Sequence, residues 1–273
     1  MKLSISNIAW GTKEEDDVAS LMQQMEINGI EIAPSKIASD IYKINGIDVI
    51  KYKDYWLSKD IEIIAMQSLL FGHPEMTIFY DEISREDTFN HLKLCIDIGK
   101  PLGVKAFVFG SPKNRYIPKE SEKVSRDIAN EFFDRIGTYC HKEGVVFCLE
   151  PNPREYGANF LCNTMDALDF VEEVDNRGLM INLDTGTMIM NNEDYKEIIR
   201  ESLYYAGHIH ISEPFLNPID PNRDIYAELV NILKYSNYSG SVSIEMKAIS
   251  QNNNIENVKN ALIFIKNSFA ELI

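Results

Sequence analysis

Four short apolar runs of this 273-residue chain each end on a residue that can bind a metal ion or move a proton: VVFCLEP at Glu150, LMINLDTG at Asp184, GHIHISEP at His210 and SVSIEM at Glu245. If these runs are parallel strands of one barrel, their C-terminal ends converge on one mouth and bring three carboxylates and an imidazole into a small volume. Like charges in a partly desolvated site repel and raise one another's pKa, and a divalent cation holds them ionised. An oxygen-rich set with one imidazole suits a single Mn²⁺ or Mg²⁺, with Co²⁺ or Zn²⁺ as alternative occupants. Two remaining coordination positions suit the vicinal oxygens of an α-hydroxycarbonyl, and the cation then stabilises the enediolate that forms when the carbon between them loses its proton. Glu150 and Glu245, approaching from opposite ends, are placed to remove that proton on one face and return it on the other, which is epimerisation, or to the neighbouring carbon, which is aldose–ketose isomerisation. Loss of a β-hydroxyl, a dehydration, starts from the same intermediate.

Each residue alone has a plainer reading. An acid at a strand end commonly caps the next helix, and Asp184 before Thr-Gly fits that role. The set outweighs its members, because strand ends with apolar flanks should seldom all be ionisable by accident.

Runs of strand length alternate with helical periodicity along the chain. The strands expected are Leu3 to Ile8, Gly29 to Ile32, Ile61 to Gln67, Val104 to Phe109, Val145 to Glu150, Leu179 to Asp184, His208 to Ile211 and Ser241 to Glu245. Between them, helices are expected at Lys13 to Glu26, Arg85 to Leu102, Glu120 to Glu143, Asp166 to Val174, Glu193 to Tyr204, Ile225 to Lys234 and Ile255 to Phe269. Thr12 to Glu15 and Ser84 to Asp87 read as capping boxes, and Gly99, Gly103, Gly144 and Gly178 as helix-to-strand junctions. Regular βα alternation means a parallel sheet, and eight strands predict a single (β/α)8 TIM barrel over residues 1–273 with its active site at the C-terminal strand ends. An open doubly wound sheet is the alternative architecture. The longest aperiodic pieces, Gly110 to Pro118, Pro151 to Asn163 and Ser212 to Asp224, fall on the ligand-bearing face, where specificity is built.

Strand alternation names the neighbours of the ligands. With Glu150 inward, Cys148 and Asn152 follow; Asp184 brings Asn182, His210 brings His208, and Glu245 brings Ser243 and Lys247. His208, one layer deeper, reads as a hydrogen-bonded core histidine. Lys247 suits an anionic or hydroxylated substrate, or solvent. Glu31 in GIEIAPSK is expected either to hold a substrate hydroxyl or to pair with a lysine. Trp10, Asn152, Tyr156 and Asn159 offer an apolar wall and polar groups fitted to a polyol, with Trp10 equally able to plug the barrel mouth as core.

Composition narrows the partners. Forty-two acids against 27 Lys and Arg give a formal charge of -15, which repels a nucleic-acid backbone. The densest basic stretch, Lys113, Arg115 and Lys119 among prolines, reads as a solvated loop. A small-molecule sugar or polyol is the expected partner, with homo-oligomerisation left open. No apolar run reaches the length of a membrane span, and the start of the chain lacks a secretion signal. Cys95, Cys140, Cys148 and Cys162 show no metal or disulfide spacing and suggest reduced thiols in a cytoplasm.

The whole chain resembles the xylose isomerase-like TIM barrels, the sugar phosphate isomerase/epimerase group, which also includes ketose 3-epimerases, hydroxypyruvate isomerase, inosose dehydratase and the endonuclease IV DNA-repair enzymes. The resemblance runs from SISNIAW and GIEIAPSK through LEPNPREYGANF and NLDTGT to HIHISEP and SIEM. It implies that Glu150, Asp184, His210 and Glu245 bind one divalent cation and that the two glutamates are the acid/base pair. The sugar 3-epimerases carry a histidine where this chain has Thr187, and an arginine where it runs Ser212-Glu213-Pro214-Phe215-Leu216, which argues against the usual free-ketose specificity. Endonuclease IV needs further histidines; here His91 and His141 fall on helices, and His73 alone is left to reach a substrate. The functions that remain are a metal-dependent isomerase or epimerase of a sugar or polyol, a metal-dependent dehydratase of the inosose or dehydroshikimate type, and a non-catalytic sugar-binding barrel.

Overall fold

Short apolar runs rich in Ile, Val and Phe form eight parallel strands because such side chains pack on both faces of a sheet that is covered by helices. In the computed structural model, which describes residues 1–118, 122–249 and 253–272, these are β1 (Lys2–Ser6), β2 (Gly29–Ile32), β3 (Glu62–Met66), β4 (Ala106–Phe109), β5 (Val146–Leu149), β6 (Leu179–Asp184), β7 (Ala206–Ser212) and β8 (Ser241–Glu245). They pair in sequence order, and β1 closes on β8 with Lys2 opposite Ser241 and Ile5 opposite Ile244. The chain is therefore a (β/α)8 TIM barrel, not an open sheet.

The helices are α1 (Glu15–Gln24), α2 (Pro34–Ile37), α3 (Gly46–Leu57), α4 (Glu82–Leu102), α5 (Glu122–Glu143), α6 (Thr164–Val174), α7 (Thr185–Asn191), α8 (Tyr195–Ser202), α9 (Asp224–Lys234) and α10 (Asn254–Phe269). The expected helix start at Glu120 and the basic residue Lys119 lie outside the described residues. Two capping expectations are corrected. The N-cap of α4 is Asp81, whose carboxylate accepts the Ser84 N–H at 2.8 Å, and Glu14, not Glu15, accepts the Gly11 N–H at 2.7 Å. Gly103 does end α4 with φ 114°, whereas Gly99 lies inside that helix, where a Cβ would meet the Phe107 ring. Helix α3 escaped the sequence pattern because Ile47, Ile50 and Leu57 point to solvent and blur the buried stripe.

The barrel interior is chemically divided. Ser4, Ser6, Glu31, His208, His210 and Ser243, from β1, β2, β7 and β8, are all fully buried. A separate apolar group of Ile64, Ala106, Val108 and Cys148 comes from β3, β4 and β5. The register shifts just before Glu31, between β2 and β3, and just before Asn182, between β6 and β7. Both irregularities sit beside interior polar residues, as bulges that re-aim side chains near a site commonly do.

Candidate active site

Glu150 immediately follows β5, Asp184 and Glu245 end β6 and β8, and His210 stands opposite Asp184 in the β6–β7 register. His210 is not the last residue of its strand: β7 runs on to Ser212, which pairs with Glu245, because barrel stagger sets neighbouring strand ends at different heights. The four residues are buried, and each offers a ligand atom within 4.8 Å of the others.

Hydrogen bonds orient every member. Glu150 Oε1 accepts from Asn182 Nδ2 at 2.7 Å and lies 2.9 Å from His210 Nδ1, which is 3.4 Å from Glu245 Oε2. Asp184 is at once a helix cap and a member of the cluster: its Oδ2 accepts the Thr187 N–H and hydroxyl, each at 2.8 Å, and the Ser212 hydroxyl donates to Oδ1. The same Thr187 hydroxyl lies 3.0 Å from the Pro151 carbonyl, so its one proton is shared between that oxygen and Asp184 Oδ2, and the buried side chain is committed to the scaffold.

The electrostatics are those of a site short of positive charge. Burial pushes the Glu245 carboxyl up to about 7, and the charges of Glu150 and Asp184 add to burial against the pull of His210. Asp184 is raised by burial and by Glu150, while Glu150 is held below the ordinary range because His210, Asn182 and Arg115 overcome its burial. His210 is driven well above the usual imidazole range by Glu31, Glu245 and Glu150 in spite of burial. Three acids sharing one imidazole fit a divalent cation, and the oxygen-rich donor set fits a hard one.

Glu31 corrects the sequence expectation. It is fully buried, has no lysine partner among the described residues, and sits behind the cluster, with Oε2 3.1 Å from His210 Nε2, Oε1 3.2 Å from His208 Nε2, and a 3.0 Å hydrogen bond from the Ser243 hydroxyl. Glu31, His208 and His210 also satisfy a metal-like geometry, but none of the three lines the cavity, whereas Glu150, Asp184 and Glu245 do. A carboxylate accepting the Nε2–H of His210 fixes the ring so that Nδ1 faces the carboxylates of the cluster, an arrangement suited to holding a metal-binding histidine from behind.

The cluster opens into a cavity of about 630 Å³. Its walls include Asn152, Tyr156, His73 and Lys247 from the sequence expectations. Trp10 is not among them; it is 1% exposed and packs in the core, with Ile8 lining the cavity instead. Asn159 is also elsewhere: its side-chain amide clasps the Ile117 backbone, accepting from N–H and donating to C=O at 2.8 Å each.

Two contributors were missed. Arg115, expected in a solvated loop, is fully buried and donates to the Glu150 carbonyl and, at 2.9 Å, to Asn152 Oδ1, bracing the end of β5. The segment from Gln67 to Pro74, of which only His73 was expected, also supplies Leu70 and Phe71 to the cavity. It is held by His91, whose Nε2 is 2.9 Å from the Leu69 carbonyl and whose Nδ1 is 2.8 Å from the Tyr42 hydroxyl. Its Ser68 and Gly72 were the available signal, two turn-forming residues after a strand.

Comparison with known proteins adds sequence and fold kinship. A family model described as xylose isomerase-like TIM barrel matches residues 19–268. A D-psicose 3-epimerase from Ruminiclostridium cellulolyticum is 34% identical over 103 residues, 37% of this chain and only 34% of that relative's length. Among solved structures, D-psicose 3-epimerase with D-tagatose from Clostridium cellulolyticum H10 superposes with a TM-score of 0.80 at 19% identity, covering 98% of this chain and 99% of that one. The IolI protein with a binding zinc atom superposes with a TM-score of 0.75 at 17% identity, covering 100% and 99% of the two chains. At these identities the structural likeness speaks for the fold.

Proposed function

Because the chain belongs to the xylose isomerase-like TIM barrel family, we propose that it is a divalent-metal-dependent isomerase or epimerase of a sugar or related polyol. The observation that carries the reading is the convergence of Glu150, Asp184, His210 and Glu245, with ligand-capable atoms within 4.8 Å of one another and the three carboxylates lining a large cavity. Bound there, Mn²⁺ or Mg²⁺ supplies Lewis-acid polarisation of an α-hydroxycarbonyl.

The protein's own groups do the rest. Glu150, just after β5, and Glu245, at the end of β8, both line the cavity and serve as the proton carriers. Asn182 and Arg115 hold the end of β5 so that the Glu150 carboxylate keeps its aim, and Glu31 fixes the His210 ring from behind. Asn152 and Tyr156 offer hydrogen bonds to hydroxyls at the cavity wall. The partial sequence match to a D-psicose 3-epimerase favours epimerisation over dehydration. Four buried, unpaired cysteines agree with a reducing compartment, the cytoplasm.

The test is incubation of the Mn²⁺-loaded protein with a panel of ketoses, aldoses and inososes in D₂O, followed by NMR. Deuterium beside the carbonyl together with a new epimer or isomer is expected. Net loss of water from an inosose marks a dehydratase instead, and no exchange with any member of the panel sinks the enzymatic reading.

A further inference from the structure

After β7 the chain makes a turn that its own residues resist. Phe215 has φ 60° and ψ 23°, and Leu216 follows with φ 54°, two bulky side chains in the left-handed region that L residues rarely adopt. The Phe215 ring is 52% exposed, so its burial does not offset the strain. Strain that persists because surrounding contacts over-determine it is concentrated at functional positions.

Two anchors enforce the turn. Before it, Glu213 is buried: Arg223 donates to its Oε2 at 2.8 Å, and the Tyr226 hydroxyl lies 2.8 Å from its Oε1 and 3.1 Å from the Ser212 carbonyl. After it, the Leu216 N–H donates to the Glu213 carbonyl at 2.9 Å, and the Leu216 carbonyl accepts the Lys247 N–H at 3.0 Å. Between these anchors the left-handed backbone aims the Phe215 N–H at the Tyr156 hydroxyl oxygen, 2.7 Å away.

That bond decides what Tyr156 can offer a ligand. A phenol has one proton and can both donate and accept. Its oxygen accepts the Phe215 N–H, and among the described residues the hydroxyl makes no other hydrogen bond. The proton is therefore left for a ligand in the cavity, which Tyr156 lines together with Glu150, Asp184 and Glu245. Burial pushes the phenol up to about 12 against the pull of the Phe215 N–H, and the charges of the three carboxylates add to burial, so the proton stays on the oxygen at neutral pH. On the reading of this cavity as a sugar site, the cation takes the carbonyl and the oxygen beside it, which leaves the remaining hydroxyls for the protein's own donors. We propose that Phe215 is a positioning residue whose backbone N–H, held left-handed, locks the Tyr156 hydroxyl as a fixed hydrogen-bond donor to one hydroxyl of the substrate. The backbone of Phe215 carries this role, not its ring.

Two measurements test this, the first without any sugar. Amide exchange at position 215 is followed by NMR in the Mg²⁺-loaded protein and expressed relative to the intrinsic rate of each residue. It is expected to be about tenfold faster in Tyr156→Phe than in the wild type, the scale of one lost hydrogen bond. Phe215→Gly adopts φ 60° freely and should keep the protection, whereas the β-branched Phe215→Val resists that region and should lose about as much as Tyr156→Phe. Circular dichroism shows that each variant is folded. Equal protection in wild type and Tyr156→Phe, or a valine variant as protected as the glycine one, overturns the positioning role.

The second measurement is calorimetric binding of D-fructose, D-tagatose and D-psicose, and of the monodeoxy analogues of the tightest of them, to the same protein. One analogue is expected to bind about tenfold more weakly than its parent in the wild type and equally with it in Tyr156→Phe. Phe215→Gly should keep that discrimination, whatever the missing ring does to affinity as a whole, and Phe215→Val should lose it. Identical ratios in wild type and Tyr156→Phe for every analogue overturn the donor role. If no ketose binds while amide exchange behaves as expected, the sugar reading fails and the Phe215–Tyr156 pairing stands. If ketoses bind with no hydroxyl read by Tyr156, the sugar reading stands and this assignment fails.

Discussion

Gly110 and Glu150 are sterically coupled: a Cβ at position 110 would lie 1.9 Å from Glu150 Oε2 and 2.9 Å from its carboxyl carbon. The glycine that follows β4 is thus the space into which the Glu150 carboxylate folds. Gly110→Ala is expected to leave the barrel folded by circular dichroism but to swing Glu150 out of the cluster, weakening Mn²⁺ binding about 10- to 100-fold, the usual scale for disturbing the support of a ligand. Unchanged affinity by titration calorimetry would mean that Glu150 relaxes within the site or is not a ligand.

The ligand set separates from the proton carriers by choice of substitution. Asp184→Ala and His210→Ala should abolish stoichiometric metal in protein purified from Mn²⁺ buffer. Glu150→Gln and Glu245→Gln keep a coordinating carbonyl oxygen and should retain metal while losing about 10²–10⁴ in turnover, since the amide cannot carry a proton. Near-wild-type turnover in either glutamine variant at saturating metal refutes the two-glutamate mechanism.

Glu31, enclosed by two imidazoles and a serine hydroxyl, touches His210, so in the proposed metal site it would act through that ring. Glu31→Gln should lower metal affinity about 10- to 100-fold. The metal-free protein, compared by thermal melting in EDTA, shows whether the effect is confined to the loaded state; equal affinity in variant and wild type removes the supporting role.

Trp10 is predicted to matter for stability, not recognition. It is fully enclosed, so Trp10→Ala should cost about 3–5 kcal/mol in urea unfolding. A normal unfolding midpoint accompanied by a raised KM would return the residue to the substrate wall.

Glu15 predicts a pH dependence remote from the site. Burial raises its carboxyl from 4.5 to about 7, against the pull of Lys36, and its Oε1 has no hydrogen-bond partner among the described residues. The folded state therefore binds this proton more tightly than the unfolded state, and stability falls as pH rises from about 4.5 to about 7. Glu15→Gln should stabilise the protein by about 1–2 kcal/mol at pH 8, after discounting for partial exposure, and by almost nothing at pH 4. Equal gains at both pH values would show that charge is not the cause.

The order of the barrel and the four residues that cluster at its mouth were legible in the sequence because both are local signals. Parallel strands buried on both faces read as continuous apolar runs, and a polar residue terminating such a run at Glu150, Asp184 or Glu245 is visible without knowing what it meets. The partners of those residues were decided by tertiary structure. Glu31 and His210 are 179 positions apart and meet only because stagger and the register shift before Glu31 turn both inward at one height. Arg115 looked solvated because its neighbours are polar and proline-rich, yet the fold turns its guanidinium under the end of β5. Trp10 and Asn159 sit on the expected loops, but loop geometry, which periodicity does not encode, pointed one into the core and the other at the Ile117 backbone. Sequence fixes which residues stand at the strand ends; the closure of the barrel decides which of them face one another, since that depends on register summed around eight strands.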